Sequence, residues 1–288
     1  MADYLMRDAV PLTSDQWQRF DEIVVAVAKE TLVGRRFLAL YGPLGAGHQQ
    51  VSLDAVSGIS PASVDAAGAS PGEVIRASGR SFLPLPLIYK DFELHWRDIE
   101  FSRQTGLALD IGPAAAASAA CARAEDDLIF NGNGALGVRG LMNTEGGSTV
   151  PMSDWAQAGA ACKDVSAALA RVQRADVSPP YALVVSQGLY PLLARPYAGS
   201  LEIEVIKQLA DGGVFWTPVL SEPSAALVAS SPQYLDLAVG QDLTTAYLET
   251  QNMIHKLRVL ESVVLRVRQP RAICAIERRV RSGRSTRR

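Results

Sequence analysis

Cysteine is scarce in this sequence: only Cys121, Cys162 and Cys274 occur in 288 residues. Their number is odd, their spacing is wide and no CxxC pair occurs. A disulfide framework is therefore not indicated, and a reducing cytoplasm fits. The three histidines, His48, His95 and His255, are far apart, with no HExxH or other metal-ligand spacing. No GxSxG elbow is present, which removes one route to a nucleophilic serine. No stretch reaches the roughly 18 continuous apolar residues of a membrane span. The longest run of small apolar residues, 114–122, is too short and too alanine-rich. The first ten residues, MADYLMRDAV, lack the charged region and apolar run of a signal peptide, so the chain reads as unexported. A strong charge of one sign is missing too. The net charge is −2, which argues against nucleic acid or a membrane surface as a general partner.

What is present is a globular composition, 48% hydrophobic and 20% charged. The charge is unevenly spread. The last twelve residues, ERRVRSGRSTRR, hold six arginines and one glutamate, and without them 22 basic residues face 29 acidic ones. This end reads as a solvated, disordered tail on a mildly acidic body. Near the start, Thr13 and Gln16 have capping-box spacing. Trp17, Phe20, Val24, Val27 and Thr31 then recur on one helical face, with Gly34 as an expected left-handed stop. RRFLALYGPLGAGHQQVSLDAV reads as strand, Gly-Pro turn and strand. Residues 57–80 have little periodicity, and RSFLPLPLIYKDFELHW is extended again. Together these describe a long ribbon with no core of its own. PAAAASAACARAEDDLIF predicts a second long helix from about Pro113 to about Phe130. The remainder alternates helices (DVSAALARVQ, LEIEVIKQLADGG) with strands (YALVVS, VFWTP, AALVAS, YLDLAVG), and ends in a long extended run.

Two motifs invite a catalytic reading. Gly132 to Gly137 fits GxGxxG, with Asp154 at a plausible ribose distance, but a dinucleotide fingerprint needs a strand before it and a helix after it. Here a helix precedes, and a glycine-rich turn fits better. IYKDFELHWRDIE gathers lysine, histidine, arginine and carboxylates, yet no local residue would orient a general base. Its charges read as the polar base of the ribbon meeting a partner. Glu125, Asp126 and Asp127, at the end of a long helix, read as a solvated face or an intersubunit ion pair. No coherent catalytic set emerges, so the chain reads as a non-enzyme.

Several strings, in order, resemble encapsulin shell proteins of family 1: PLTSDQWQRFDE, LVGRRFLALYGPLGAG, IYKDFELHWRDIE, AEDDLIFNG…GVRGLM, PYALVVS and LAVGQDLTTAYL. YGPLGAG and IYKDFELHWRDIE are most similar to the myxobacterial iron-storage type. The resemblance implies an α+β fold like that of HK97-type phage capsids. It divides the chain into an N-terminal helix and P-domain start (1–45), an E-loop (46–90), a P-domain with spine helix (91–132), an A-domain (133–222), a P-domain return (223–276) and the basic tail (277–288). It implies self-assembly in sixty copies or a multiple, in a bacterial cytoplasm, around a cargo enzyme bearing a C-terminal targeting peptide. The implied cargo is ferritin-like and iron-oxidising, with iron in the lumen and no cofactor in the shell. A dye-decolourising peroxidase is the alternative cargo. A nicotinamide oxidoreductase or a protease is the alternative of another class. Ile23, Val27, Leu32, Arg35, Leu237 and Val239 fall where the family's cargo-peptide groove lies, with Arg35 expected to hold a backbone carbonyl or terminal carboxylate. Arg195, Pro196, Tyr197, Ala198, Gly199 and Ser200 fall at the fivefold pore loop. Some relatives stack flavin on a tryptophan near this region, but Trp96 is one position out of register, so flavin is not expected.

Overall fold

The computed structural model describes residues 3–59, 61–67 and 73–278, and most of the basic tail lies outside them. In chain order the elements are α1 (Ser14–Thr31), β1 (Leu40–Tyr41), β2 (Gln50–Ser57), β3 (Arg76–Pro84), β4 (Leu87–His95), α2 (Trp96–Thr105) and α3 (Gly112–Phe130). β5 (Ser148–Pro151), α4 (Ala160–Gln173), β6 (Tyr181–Ser186), β7 (Pro196–Tyr197), β8 (Ser200–Leu201), α5 (Glu202–Leu209) and β9 (Gly213–Thr217) follow. The chain then returns through β10 (Ser224–Ala229), β11 (Leu235–Val239), β12 (Thr244–Gln251), β13 (Ile254–Val267) and β14 (Ile273–Glu277).

β13 organises one sheet. β12 and β4 both pair antiparallel with its first part, and β11 pairs with its last five residues. β1 adds to β11 in parallel. The alanine-rich helix α3 lies against β4 and β13, and α1 packs on α3 and β12. Small side chains on α3 let these layers approach closely: Ala114, Ala117, Cys121 and Ala122 are all buried there. The second sheet runs β5-β14-β10-β6-β9 and carries the largest core. β6 and β10 are buried at every residue, as expected for inner strands covered on both faces. The β2–β3 hairpin stands apart as a two-stranded ribbon, exposed over most of its length.

α1 begins as its sequence indicates. Gln16 N donates to Thr13 Oγ1 at 3.3 Å and Thr13 N to Gln16 Oε1 at 2.9 Å, a complete capping box. Thr13→Ala removes the hydroxyl acceptor, so a loss of about 1 kcal/mol in urea-unfolding free energy is expected. The helix ends differently from expectation. Its C-cap is Leu32 in an extended conformation. Gly34 is not left-handed but buried, and a Cβ on it would sit 2.6 Å from Ile129 Cδ1 of α3. Glycine is needed there for close approach rather than for a turn.

IYKDFELHWRDIE also departs from the extended reading. It divides at His95, where the His95 ring accepts from Arg97 N and starts α2 at Trp96. Its charges partly pair within the chain: Asp91 takes both arms of Arg258 at 2.6 and 3.0 Å.

Candidate functional site

The most concentrated charge in the protein sits where the end of α1 meets α3 and β13. Arg35, in the short turn after α1, donates Nε to Glu125 Oε1 at 2.8 Å and Nη2 to Glu125 Oε2 at 2.7 Å. The same Nη2 reaches Glu261 Oε2 at 2.8 Å, and Nη1 reaches Asp242 Oδ1 at 2.7 Å. Glu125 and Glu261 are 0% and 1% exposed. Burial alone would pull the Arg35 guanidinium down, but its bonds and charge contacts with Glu125, Glu261 and Asp242 outweigh that and raise it. The next residue of α3, Asp126, accepts Val33 N and Gly34 N, both at 2.9 Å. Burial pushes its carboxyl up to about 7, against the pull of those two amides. Glu125 and Asp126 are therefore internal fasteners, which corrects their reading as a solvated or intersubunit face. Asp127 alone is exposed, bonded to Asn131 Nδ2.

This network bears on the expected groove at several positions. The Arg35 guanidinium is engaged by three carboxylates and has no free arm for a peptide terminus. Leu237 and Val239 are 0% and 2% exposed, inside β11 between β1 and β13, in the main core. Leu32 is buried beside Ala28 and Ala122. The structure does not bring these three apolar residues to a surface with α1. Ile23 and Val27 remain half-buried on α1. The neighbour that sequence reasoning missed is the turn before β12. There Leu243 packs half-buried against the clusters under α1, and Asp242 is largely exposed. LAVGQDLTTAYL contained the signal: LAV reads as a buried strand, and QDL follows it as the first polar break.

Residues 195–200 form a compact hairpin. Pro196 pairs with Leu201 and Tyr197 with Ser200. Ala198 and Gly199 take φ of 50° and 84° at the tip, the left-handed pair of a tight two-residue turn. Arg195 is folded back, donating Nε to Leu192 O at 2.7 Å and Nη1 to Ala156 O. The Tyr197 ring lies on Gly159, where a Cβ would come within 2.6 Å. The tip residues Ala198 and Gly199 are uncharged and Arg195 is tied back to its own subunit, while Lys163 lines the same surface pocket as Tyr197.

Gly132 to Gly137 is a turn leaving α3. Gly132 has φ of 70°, Asn133 Oδ1 accepts from Ala135 N and Leu136 N, and Asn133 bridges to Val138. Trp96 begins α2, 38% exposed, with its ring centroid 6.1 Å from that of His95. Among the described residues, no group of three or more His, Cys, Asp or Glu is placed to hold a metal, and no helix is long and apolar enough to cross a membrane.

A long helix laid on a β-sheet, a second α/β lobe and a projecting hairpin define a capsid-type shell subunit of the HK97 class. The fold is similar to the virus-like particle from Pyrococcus furiosus, with a TM-score of 0.73 at 21% identity over 92% of this chain and 99% of that one. It is also similar to the capsid of Myoviridae phage XM1, with a TM-score of 0.62 at 13% identity over 84% and 90%. In sequence, the Linocin_M18 family model, described as an encapsulating protein for peroxidase, matches residues 2–264. The chain is 43% identical to the type 1 encapsulin shell protein EncA of Myxococcus xanthus, over 96% of this chain and 97% of the relative. It is 38% identical to a diheme-cytochrome-encapsulin shell fusion protein of Kuenenia stuttgartiensis, over 93% and 74%. The chain belongs to the encapsulin family of self-assembling shell proteins. It is a structural component rather than an enzyme.

Proposed function

We propose that the chain closes into an icosahedral shell around an oxidoreductase cargo held by a C-terminal targeting peptide. The observation that carries this is the family match across residues 2–264, joined to a hairpin that has no core in its own subunit. In this reading the hairpin is the E-loop, residues 133–222 form the A-domain around the symmetry axes, and 195–200 form the fivefold pore loop. A peroxidase is the better-supported cargo, because the family description names one. A ferritin-like iron-oxidising cargo, with iron in the lumen, is the second reading. It draws on a ferritin-like-encapsulin shell fusion protein of Pyrococcus furiosus, 26% identical over 70% of this chain.

The peptide site is placed at the apolar edge formed by Ile23 and Val27 on α1 and Leu243 on the facing turn. Arg35 lies beneath it as a support rather than a ligand. Electron microscopy of particles purified with the neighbouring gene products, with mass spectrometry of their contents, tests both parts. Monomers or small oligomers under native conditions would sink the shell. Particles holding a ferritin-like protein and no peroxidase would reverse the order of the two cargoes.

A further inference from the structure

We propose that Glu261 carries a proton against Glu125 beneath Arg35, and that release of this proton to alkaline solvent unlatches the end of α1 from the sheet. The inference concerns a conformational device in the subunit and does not depend on the cargo reading.

The geometry supplies more negative charge than the site can hold ionised. One guanidinium meets three carboxylates, and both Glu125 Oε2 and Glu261 Oε2 converge on the same Nη2, at 2.7 and 2.8 Å. Fully ionised, Arg35, Glu125, Glu261 and Asp242 would carry two uncompensated negative charges, with two of the carboxylates sealed from water. Glu261 Oε1 is completely buried and has no hydrogen-bond partner. On an ionised carboxylate that atom would be a bare charged oxygen, while on a neutral acid it is an unpaired carbonyl oxygen, which costs far less. A proton on Oε2 would lie between the two glutamates and turn a repulsion into a hydrogen bond.

The surroundings do not offset this. α3 contributes Glu125, the buried Cys121 thiol, which burial and then Glu261 help to keep protonated, and, on its next face, Asp126. The turn before β12 contributes Asp242. β4 contributes Lys90 and Asp91, adjacent and opposite in sign, with Asp91 already bound by Arg258 of β13. Among the described residues Arg35 is the only cation within ion-pair distance of Glu261. Burial first, and then Glu125, push the Glu261 carboxyl well above the usual range, and Arg35 draws it back only in part.

Both Glu261 and Asp126 are raised relative to an unfolded chain, so closing the latch takes up protons. The closed state is fully favoured only below the ordinary carboxylate range, at about pH 4. It weakens as pH rises from there through about 7 for Asp126, and Glu261, also raised, acts in the same direction. What opens is the segment tied by Arg35 to Glu125, Glu261 and Asp242, and by the Val33 and Gly34 amides to Asp126.

The test is hydrogen exchange on the full-length particle, read on peptides spanning residues 14–38 and corrected for intrinsic rate, between about pH 6 and about pH 9. The wild type is expected to open more readily as pH rises, by up to about tenfold per pH unit for each linked proton within its titration window. Glu261→Gln, a neutral isostere, is expected to lose the Glu261 share and show a flatter profile at the alkaline end. Equal slopes in the two proteins would overturn the proposal. Infrared spectroscopy of the unmodified particle gives an independent reading should the variant not assemble. A carboxylic-acid carbonyl band present near neutral pH and lost in alkali is expected, and its absence at neutral pH would overturn the assignment.

Discussion

Arg35→Ala is expected to destabilise the subunit by about 3–5 kcal/mol, the usual cost of removing one partner from a buried ion pair. The cost comes from what is left behind rather than from what is lost. Glu125 would remain 0% exposed with no cation on either oxygen, and Glu261, 1% exposed, would lose the Arg35 Nη2 donor on its Oε2. Asp242, whose side chain is 57% exposed, would return to water at little cost. Arg35→Lys should recover only part of the loss, because a single ammonium cannot span the five bonds that the planar fork makes to three residues. A useful contrast is Arg80→Ala, which breaks a pair with Asp54 whose side chains are 61% and 39% exposed. That change should leave stability close to that of the wild type, because solvent screens an exposed pair. Differential scanning fluorimetry of purified particles, with urea midpoints as a second measure, compares the three variants. An Arg35→Ala particle as stable as the wild type would remove the case for a buried charge cluster.

The contrast between these two arginines also marks where sequence reasoning stops. Local rules located what local physics controls. The Thr13 and Gln16 spacing is itself the capping box, and alanine content marked α3 to within a residue. Clusters whose partners lie far along the chain were invisible. Glu125 and Asp126 look like a solvated face because their partners, at positions 33–35 and 261, are about 90 residues before or well over 100 after. Leu237 and Val239 sit in a string that resembles the family's, which is why they read as groove walls. Their strand is buried at every residue, including Asp236, whose charge is met by Arg266 on the neighbouring strand, 30 residues along the chain. α2 was missed for a different reason. The alternation of β4 runs into Trp96 without a glycine or proline, and only the His95 ring cap breaks it. For the charge cluster and for β11 the deciding contact lies outside any window of ten residues, whereas for α2 it is a local ring cap that residue propensity does not register.

Excising the outer hairpin is expected to abolish particles while leaving a folded subunit. Joining residue 53 to residue 81 through Asn-Gly would keep the strand partners Leu53 and Ser81 together. It would also keep Val51, the hairpin's buried anchor, in the main core. The removed segment gives its own subunit little. Val56, Ile59, Val64, Val74 and Ile75 are 50–97% exposed, and the cross-strand Asp54–Arg80 pair is a surface one. A two-stranded ribbon is marginal in water by itself, so apolar side chains along it indicate cover from outside the subunit. The family is one of self-assembling shells, and neighbouring copies of this chain are the cover available in every particle. Light scattering after size exclusion should therefore report monomers or small oligomers, with a circular dichroism spectrum close to that of the intact chain. Normal particles from the shortened protein would show that closure rests on the two sheet domains instead. An unfolded product would show that the hairpin stabilises its own subunit through contacts that its exposure does not suggest.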